Sequence, residues 1–288
     1  LVTLSETIVD ASSTLNNTTF TVAGYTVSNT TTGASANDNK VLITLTESGS
    51  ADTDATPTVV LVAAKISDGI DVLASDQTFS GTTDGVAPAI SAAKTLDSDN
   101  DGQIDQILVT LSETIADGSS TLNNTTFTVA GYTVSNTTSG ASANDNKVLI
   151  TLVESGSPDT DATPDVTLVA AKISDGSAAL ASDQTFSGTT DGAAPAIVAA
   201  NILDDDDDGQ IDQILVTLSE AITDGSSTLN NTTFTVAGYT VSNTTTGASA
   251  NDNKVLITLT ESGSADTDAT PGVCLLYTSP SPRDKRQS

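Results

Sequence analysis

Residues 106–113 read QILVTLSE. Ile107, Val109 and Leu111 fall on one side of an extended chain, with Leu108, Thr110 and Ser112 on the other. That is the period of two expected of a half-buried strand. The same words recur outward from this point: LVTLSETI starts at Leu1 and again at Leu108, and LVTLSEAI starts at Leu215. Starts at 1, 108 and 215 set a period of 107 residues, the size of a whole domain. Residues 1–87 align with 108–194 without a gap and differ at 11 positions. A boundary before Pro88 and Pro195 makes 88–194 one complete unit. It is preceded by 1–87, which lacks the counterparts of 88–107, and followed by 195–273, which is expected to lack the closing strands equivalent to 166–194.

Beyond Pro271 the repeat gives way to GVCLLYTSPSPRDKRQS, with Pro, Ser and basic residues in place of Thr and Val. Cys274 to Asp284 matches, codon for codon, the translation of a common transposase-based sequencing adapter. Residues 274–288 are therefore expected to be non-native and unpacked, and they are set apart from fold reasoning. Without Cys274 the chain has no cysteine, so disulfides and thiol chemistry play no part.

The 288 residues carry 37 acidic and 9 basic side chains, no histidine, and a formal charge of −28. Such acidity argues against nucleic acid and anionic membrane as partners and favours cations. A hydrophobic content of 37%, arranged in short alternating runs, is enough for packed cores. No apolar run approaches the length that spans a bilayer.

Within 88–194 the alternation continues through FTVAGYTV (127–134), KVLITLVE (147–154) and DVTLVAA (165–171). Ala130-Gly131 breaks the phase, as a bulge or tight bend does. Turn-rich stretches separate the runs, and no segment shows a long helical period. About seven short strands in a unit this size predict tandem immunoglobulin-like antiparallel β-sandwich domains, an all-β fold. Phe127, Tyr132 and Phe186 are the expected aromatic anchors of the core.

Immediately before QILVTLSE stands DSDNDGQID (97–105), and DDDDDGQID (204–212) stands at the same place one period later. Asp97, Asp99, Asp101, Gln103 and Asp105 occupy positions 1, 3, 5, 7 and 9 of a D-x-D-x-D-G-x-x-D loop, as do Asp204, Asp206, Asp208, Gln210 and Asp212. Alternate carboxylates turn inward, Gly102 or Gly209 takes the sharp bend, and the carbonyl of Gln103 or Gln210 completes an arc around a hard cation. The flanks are strands, and position 12, normally Glu, is Leu108 or Leu215. The reading is an EF-hand-like calcium loop set between strands, one ligand short. Calcium suits six to eight flexible oxygens better than magnesium, and zinc would want N or S donors. The bland alternative is a solvated acidic turn held by its own hydrogen bonds. Asp191, or a carbonyl of TTDGAAPAI (189–197), is one candidate for the missing ligand; the alternative is that water completes the shell.

The run DxDxDGxIDQIxVTxSE, followed by Thr-rich strands and ISDG…ALASD (173–183), resembles the bacterial Ig-like repeats of S-layer proteins and giant surface adhesins. The resemblance implies secretion to the bacterial cell surface and calcium-dependent rigidity in a stalk or scaffold. Ser112-Glu113 matches the family habit, whereas DGSAALA (175–181) replaces its common D-x-A-G-N turn. The implied partners are neighbouring repeats of the same chain. A cell-surface or glycan ligand would engage a head domain outside this stretch, with no nucleic acid and no membrane contact.

No enzyme is expected, because without histidine the Ser/Thr-rich surface has no base to activate a nucleophile. Asp159 and Asp161 resemble a glycosidase pair, yet they recur as Asp52/Asp54 and Asp266/Asp268, the mark of a loop signature. The other functional class is an accessory or carbohydrate-binding module of a secreted enzyme, but 3% aromatic residues leave few stacking platforms.

Overall fold

A computed structural model describes residues 1–47, 49–223, 229–247, 249–261 and 263–276. Apart from two single 3-10 turns, Asp10–Ser12 and Asp117–Ser119, every element among them is a β-strand. The first unit contributes β1 (Val2–Thr3), β2 (Phe20–Val22), β3 (Val27–Thr32), β4 (Lys40–Leu45), β5 (Val59–Leu61) and β6 (Gln77–Phe79). The middle unit contributes β7 (Ile90–Leu96), β8 (Gln106–Leu111), β9 (Phe127–Val129), β10 (Thr133–Ser139), β11 (Lys147–Val153), β12 (Val166–Leu168) and β13 (Gln184–Phe186). The last contributes β14 (Ile197–Leu203), β15 (Gln213–Leu218), β16 (Phe234–Val236), β17 (Thr240–Thr246), β18 (Lys254–Thr260) and β19 (Val273–Leu275).

In the middle unit these strands form two antiparallel sheets, in the orders β10-β11-β8-β7 and β13-β12-β9. Ile107, Val109 and Leu111 of β8 are each at most 1% exposed, as the alternation predicts. They meet Phe127, Val129, Val166 and Leu168 of the other sheet in a single core. The register Ile107↔Ile150 and Val109↔Val148 aligns apolar residues of β8 and β11. A slip of one residue would turn that whole face to solvent. Of the expected aromatic anchors, Phe127 is fully buried, whereas Tyr132 and Phe186 pack only at the rim. Ala130-Gly131 is a turn, with Gly131 at φ 81°, which carries the chain from one sheet to the other. The bulge lies further on, between Val134 and Asn136.

Strand β7 has two neighbours. It pairs antiparallel with β8, and Lys94 bridges Thr190 in parallel, with Thr95 N–H donating to the Thr190 carbonyl at 3.0 Å. The end of β7, where the acidic loop begins, therefore lies beside the segment by which the chain leaves the unit.

The last unit departs from expectation. Val273, Cys274 and Leu275 form β19, which pairs with β16 through Phe234↔Leu275 and Val236↔Val273. Val273 and Leu275 reproduce the Val-x-Leu spacing of Val166 and Leu168, which pair with β9 in the same way. The edge of β16 accepts any extended chain with apolar residues at those two places. The core is thus closed by one more strand than expected: Val273 and Leu275 pack against it, while Cys274 points away and stays exposed. The expectation for 277–288 lies outside the described residues.

Candidate metal centre

Backbone geometry builds the loop from Asp97 to Asp105. Asp97 accepts the Asn100 N–H at 2.7 Å on Oδ1 and the Gly102 N–H at 2.9 Å on Oδ2. Asp101 accepts the Gln103 N–H at 2.9 Å, and Asp105 accepts the Ser98 N–H at 3.0 Å. Asn100 and Gly102 adopt φ of 60° and 95°, the left-handed turns that Asn and Gly allow at least cost. At Gly102 a side chain is also excluded by the neighbouring unit. A Cβ there would lie 2.8 Å from Val198 Cγ1 and 3.1 Å from Ser219 Cβ.

Two contacts seat the loop on its own unit. Ile104 is fully buried in the core between the sheets. Its N–H donates to Asp159 Oδ1 at 2.8 Å, while Asp159 N–H donates to the Gly102 carbonyl at 3.0 Å and Tyr132 Oη donates to Asp159 Oδ2 at 2.8 Å. Burial, followed by the bond to Asp159, raises the Tyr132 hydroxyl above its usual range. The repeated Asp159/Asp161 turn is therefore a clamp for the loop. The second loop repeats the arrangement, with Ile211 buried, its N–H on Asp266 at 2.8 Å, and Asp207 and Gly209 at φ of 60° and 91°.

The structure gathers the predicted carboxylates. Asp97, Asp99 and Asp101 each present an oxygen within 4.8 Å of the other two, as do Asp204, Asp206 and Asp208. Asp105 and Asp212 join through a residue that sequence reasoning missed: Asp99, Asp105 and Glu154 form one such cluster, and Asp206, Asp212 and Glu261 the other. Glu154 follows β11 directly, and Leu152 N–H donates to the Asp105 carbonyl at 2.8 Å, which fixes that strand end beside the loop. Asp191 does not take this place. It lies against Glu220, whose carboxyl is pushed up by burial first and then by the charge of Asp191. Gln103 and Gln210 turn their side-chain N–H groups onto Asp101 and Asp208 at 3.0 and 2.7 Å, leaving Oε1 of each buried without a partner.

The turn hydrogen bonds shape the loop but do not neutralise it, because each carboxylate oxygen keeps a second lone pair. Mutual repulsion registers in the carboxyls. The charge of Asp101, then those of Asp99, Asp105 and Asp97, holds Glu154 above the usual carboxylate range, and Asp208 and its neighbours do the same to Glu261. Burial comes first in raising Asp97. An all-oxygen, strongly anionic cluster with orphaned buried amide oxygens fits a hard cation. Neither a protein-family model nor a curated protein matches the chain.

Proposed function

We propose that the chain is part of a tandem array of immunoglobulin-like domains, stiffened by calcium, serving as the stalk or scaffold of a secreted bacterial surface protein. The middle unit's sheet orders support the fold reading. Numbered from its first strand they are 4-5-2-1 and 7-6-3, the order of the constant-type immunoglobulin sandwich. Calcium suits the loops because Asp97, Asp99, Asp101, Asp105 and Glu154 offer more oxygens than an octahedral magnesium site with its retained waters would use. When bound, the ion neutralises the charge that these carboxylates otherwise hold against one another.

The observation that carries the structural role is where the loop lies. Gly102 packs on Val198 and Ser219 of the following unit, so an ordered loop is part of the joint. Near-identical units in file suit a spacer better than a single binding site.

Thermal unfolding of the full chain tests the reading. Calcium at a hundredfold excess over its dissociation constant stabilises a binding unit by about 2.7 kcal/mol. The midpoint is expected to rise with calcium in the native chain, and to rise distinctly less after Asp97, Asp101, Asp204 and Asp208 are changed to Asn. Equal midpoints in calcium and chelator for the native chain would overturn the calcium reading.

A further inference from the structure

Each unit carries Glu at only two positions. One set is Glu47, Glu154 and Glu261, of which the last two face the acidic loops. The other is Glu6, Glu113 and Glu220, which follow the first core strand of each unit and take no part in those loops. Glu113 sits at the joint between the first and middle units. Beside it Ser112 exchanges bonds with Ala89: Ser112 N–H donates to the Ala89 carbonyl at 2.8 Å, and Ala89 N–H donates to Ser112 Oγ at 3.1 Å. Thr53 of the preceding unit donates its hydroxyl to the same Ser112 Oγ at 2.8 Å. The next joint repeats this, with Thr160 and Ser219 hydroxyls 2.7 Å apart.

Glu113 is 3% exposed, and neither of its carboxylate oxygens has a hydrogen-bond partner. The Thr53 hydroxyl is close enough to ease the charge, but it is already donated to Ser112. One carboxylate oxygen each of Glu113, Asp84 and Asp175 lies within 4.8 Å of the other two. Asp84 comes from the exit segment of the first unit, Asp175 from the loop after Ile173 in the middle unit. A buried carboxylate without a partner keeps its charge only where a cation meets it and otherwise takes up a proton, and no Lys or Arg bonds to it here.

We propose that Asp84, Glu113 and Asp175 form a second kind of calcium site, a staple across the joint between the first and middle units. The site shares no residue with the acidic loops and stands whether or not those loops take up calcium. Three carboxylates from two units give a hard divalent ion its oxygens and bind the exit segment of one unit to the body of the next. The chain contains two controls. Glu6, for which the described residues include no preceding unit, is exposed. Glu220 meets Asp191 across the second joint with Oε1 again unpartnered, but the sequence has Pro282 one period after Asp175, and among the described residues no third carboxylate completes a cluster there.

Equilibrium dialysis of the full chain against calcium chloride tests the assignment by counting bound ions. Three are expected: one per acidic loop (97–105 and 204–212) and one at Glu113. Glu113→Gln and, separately, Asp175→Asn should each remove one ion, with circular dichroism in chelator verifying that each variant is folded. Changing Asp97, Asp101, Asp204 and Asp208 to Asn should leave the joint ion alone. A native chain that binds only one ion, lost in Glu113→Gln, would sink the loops and keep the staple. An ion count unchanged by both Glu113→Gln and Asp175→Asn would overturn the staple, leaving Glu113 to share a proton with Asp84.

Discussion

Residues 1–87 and 108–194 are nearly the same sequence, but only the second stretch has an acidic loop ahead of it here, and Leu45 is 36% exposed where its counterpart Leu152 is 5% exposed. Tyr25 still donates to Asp52 at 2.8 Å, as Tyr132 does to Asp159. In the first unit, however, Tyr25, Leu45, Glu47 and Asp52 line an open hollow. In the middle unit the counterparts of those residues surround the Asp97–Asp105 loop, and Ile104 plugs the core beneath it. The acidic loop is therefore also a lid on the hydrophobic core. One isoleucine holds it down, and the carboxylates around that anchor repel one another. The middle unit carries both a larger core and a larger electrostatic burden than the first, and in the proposed reading a bound cation would turn that burden into a clamp.

The largest way to collapse that difference is to remove the plug. Ile104→Ala should destabilise the middle unit by about 3 kcal/mol through lost burial and the cavity left behind. Calorimetry should show its transition falling towards that of the first unit. A loss below about 1 kcal/mol would mean the loop does not contribute to the core.

Calcium should widen the difference by almost as much. In a chain carrying Glu113→Gln, which removes the staple, addition should raise the transitions of the middle and last units by about 2.7 kcal/mol of stability at a hundredfold excess over the dissociation constant, leaving the first unit's transition where it was. An equal gain in all three units would show that the ion acts elsewhere than in the loops.

Protons should act in the opposite sense when calcium is chelated. Burial pushes Glu113 and Glu220 up to about 7 from an unfolded value of 4.5. A raised carboxyl favours folding while protonated, so its contribution is present below the unfolded value and is lost as pH rises through about 7. In chelator the midpoint should fall by several degrees between about pH 5 and about pH 8, and Glu113→Gln should flatten part of that slope. With calcium present the slope should reverse, because the ligands must be deprotonated to bind. A chelated chain whose midpoint rises over this range would contradict the burial described for Glu113.

The smallest effect belongs to the clamp. Tyr132→Phe deletes the hydroxyl bond to Asp159 and should cost about 1 kcal/mol, a typical net value for one hydrogen bond. Tyr25→Phe, at the more exposed pair in the first unit, should cost less. Equal losses would remove the link between that bond and the loop.

Much of this was legible in the sequence because the controlling pattern is local. QILVTLSE declares a strand with one buried face, and the structure buries Ile107, Val109 and Leu111. The D-x-D-x-D-G spacing brings Asp97, Asp99 and Asp101 together within a single turn. What escaped depends on contacts between distant segments. Glu154 reaches the loop only because β11 pairs with β8 in one register. Glu113 is buried by contact with the preceding unit, which no local pattern around Ser112-Glu113 carries. Asp191 was expected at the loop, and the exit segment does pass near it, but the carboxylate turns to Glu220 across the joint. Strand β19 was missed because an abrupt change of composition hides the Val-x-Leu spacing that β16 selects.

The central claim is that calcium fixes the joints between units. Small-angle scattering of the full chain in calcium and in chelator measures this directly. The account predicts a longer and narrower distribution of dimensions with calcium, shortening and broadening when the ion is removed. The same maximum dimension and the same spread in both conditions would contradict it.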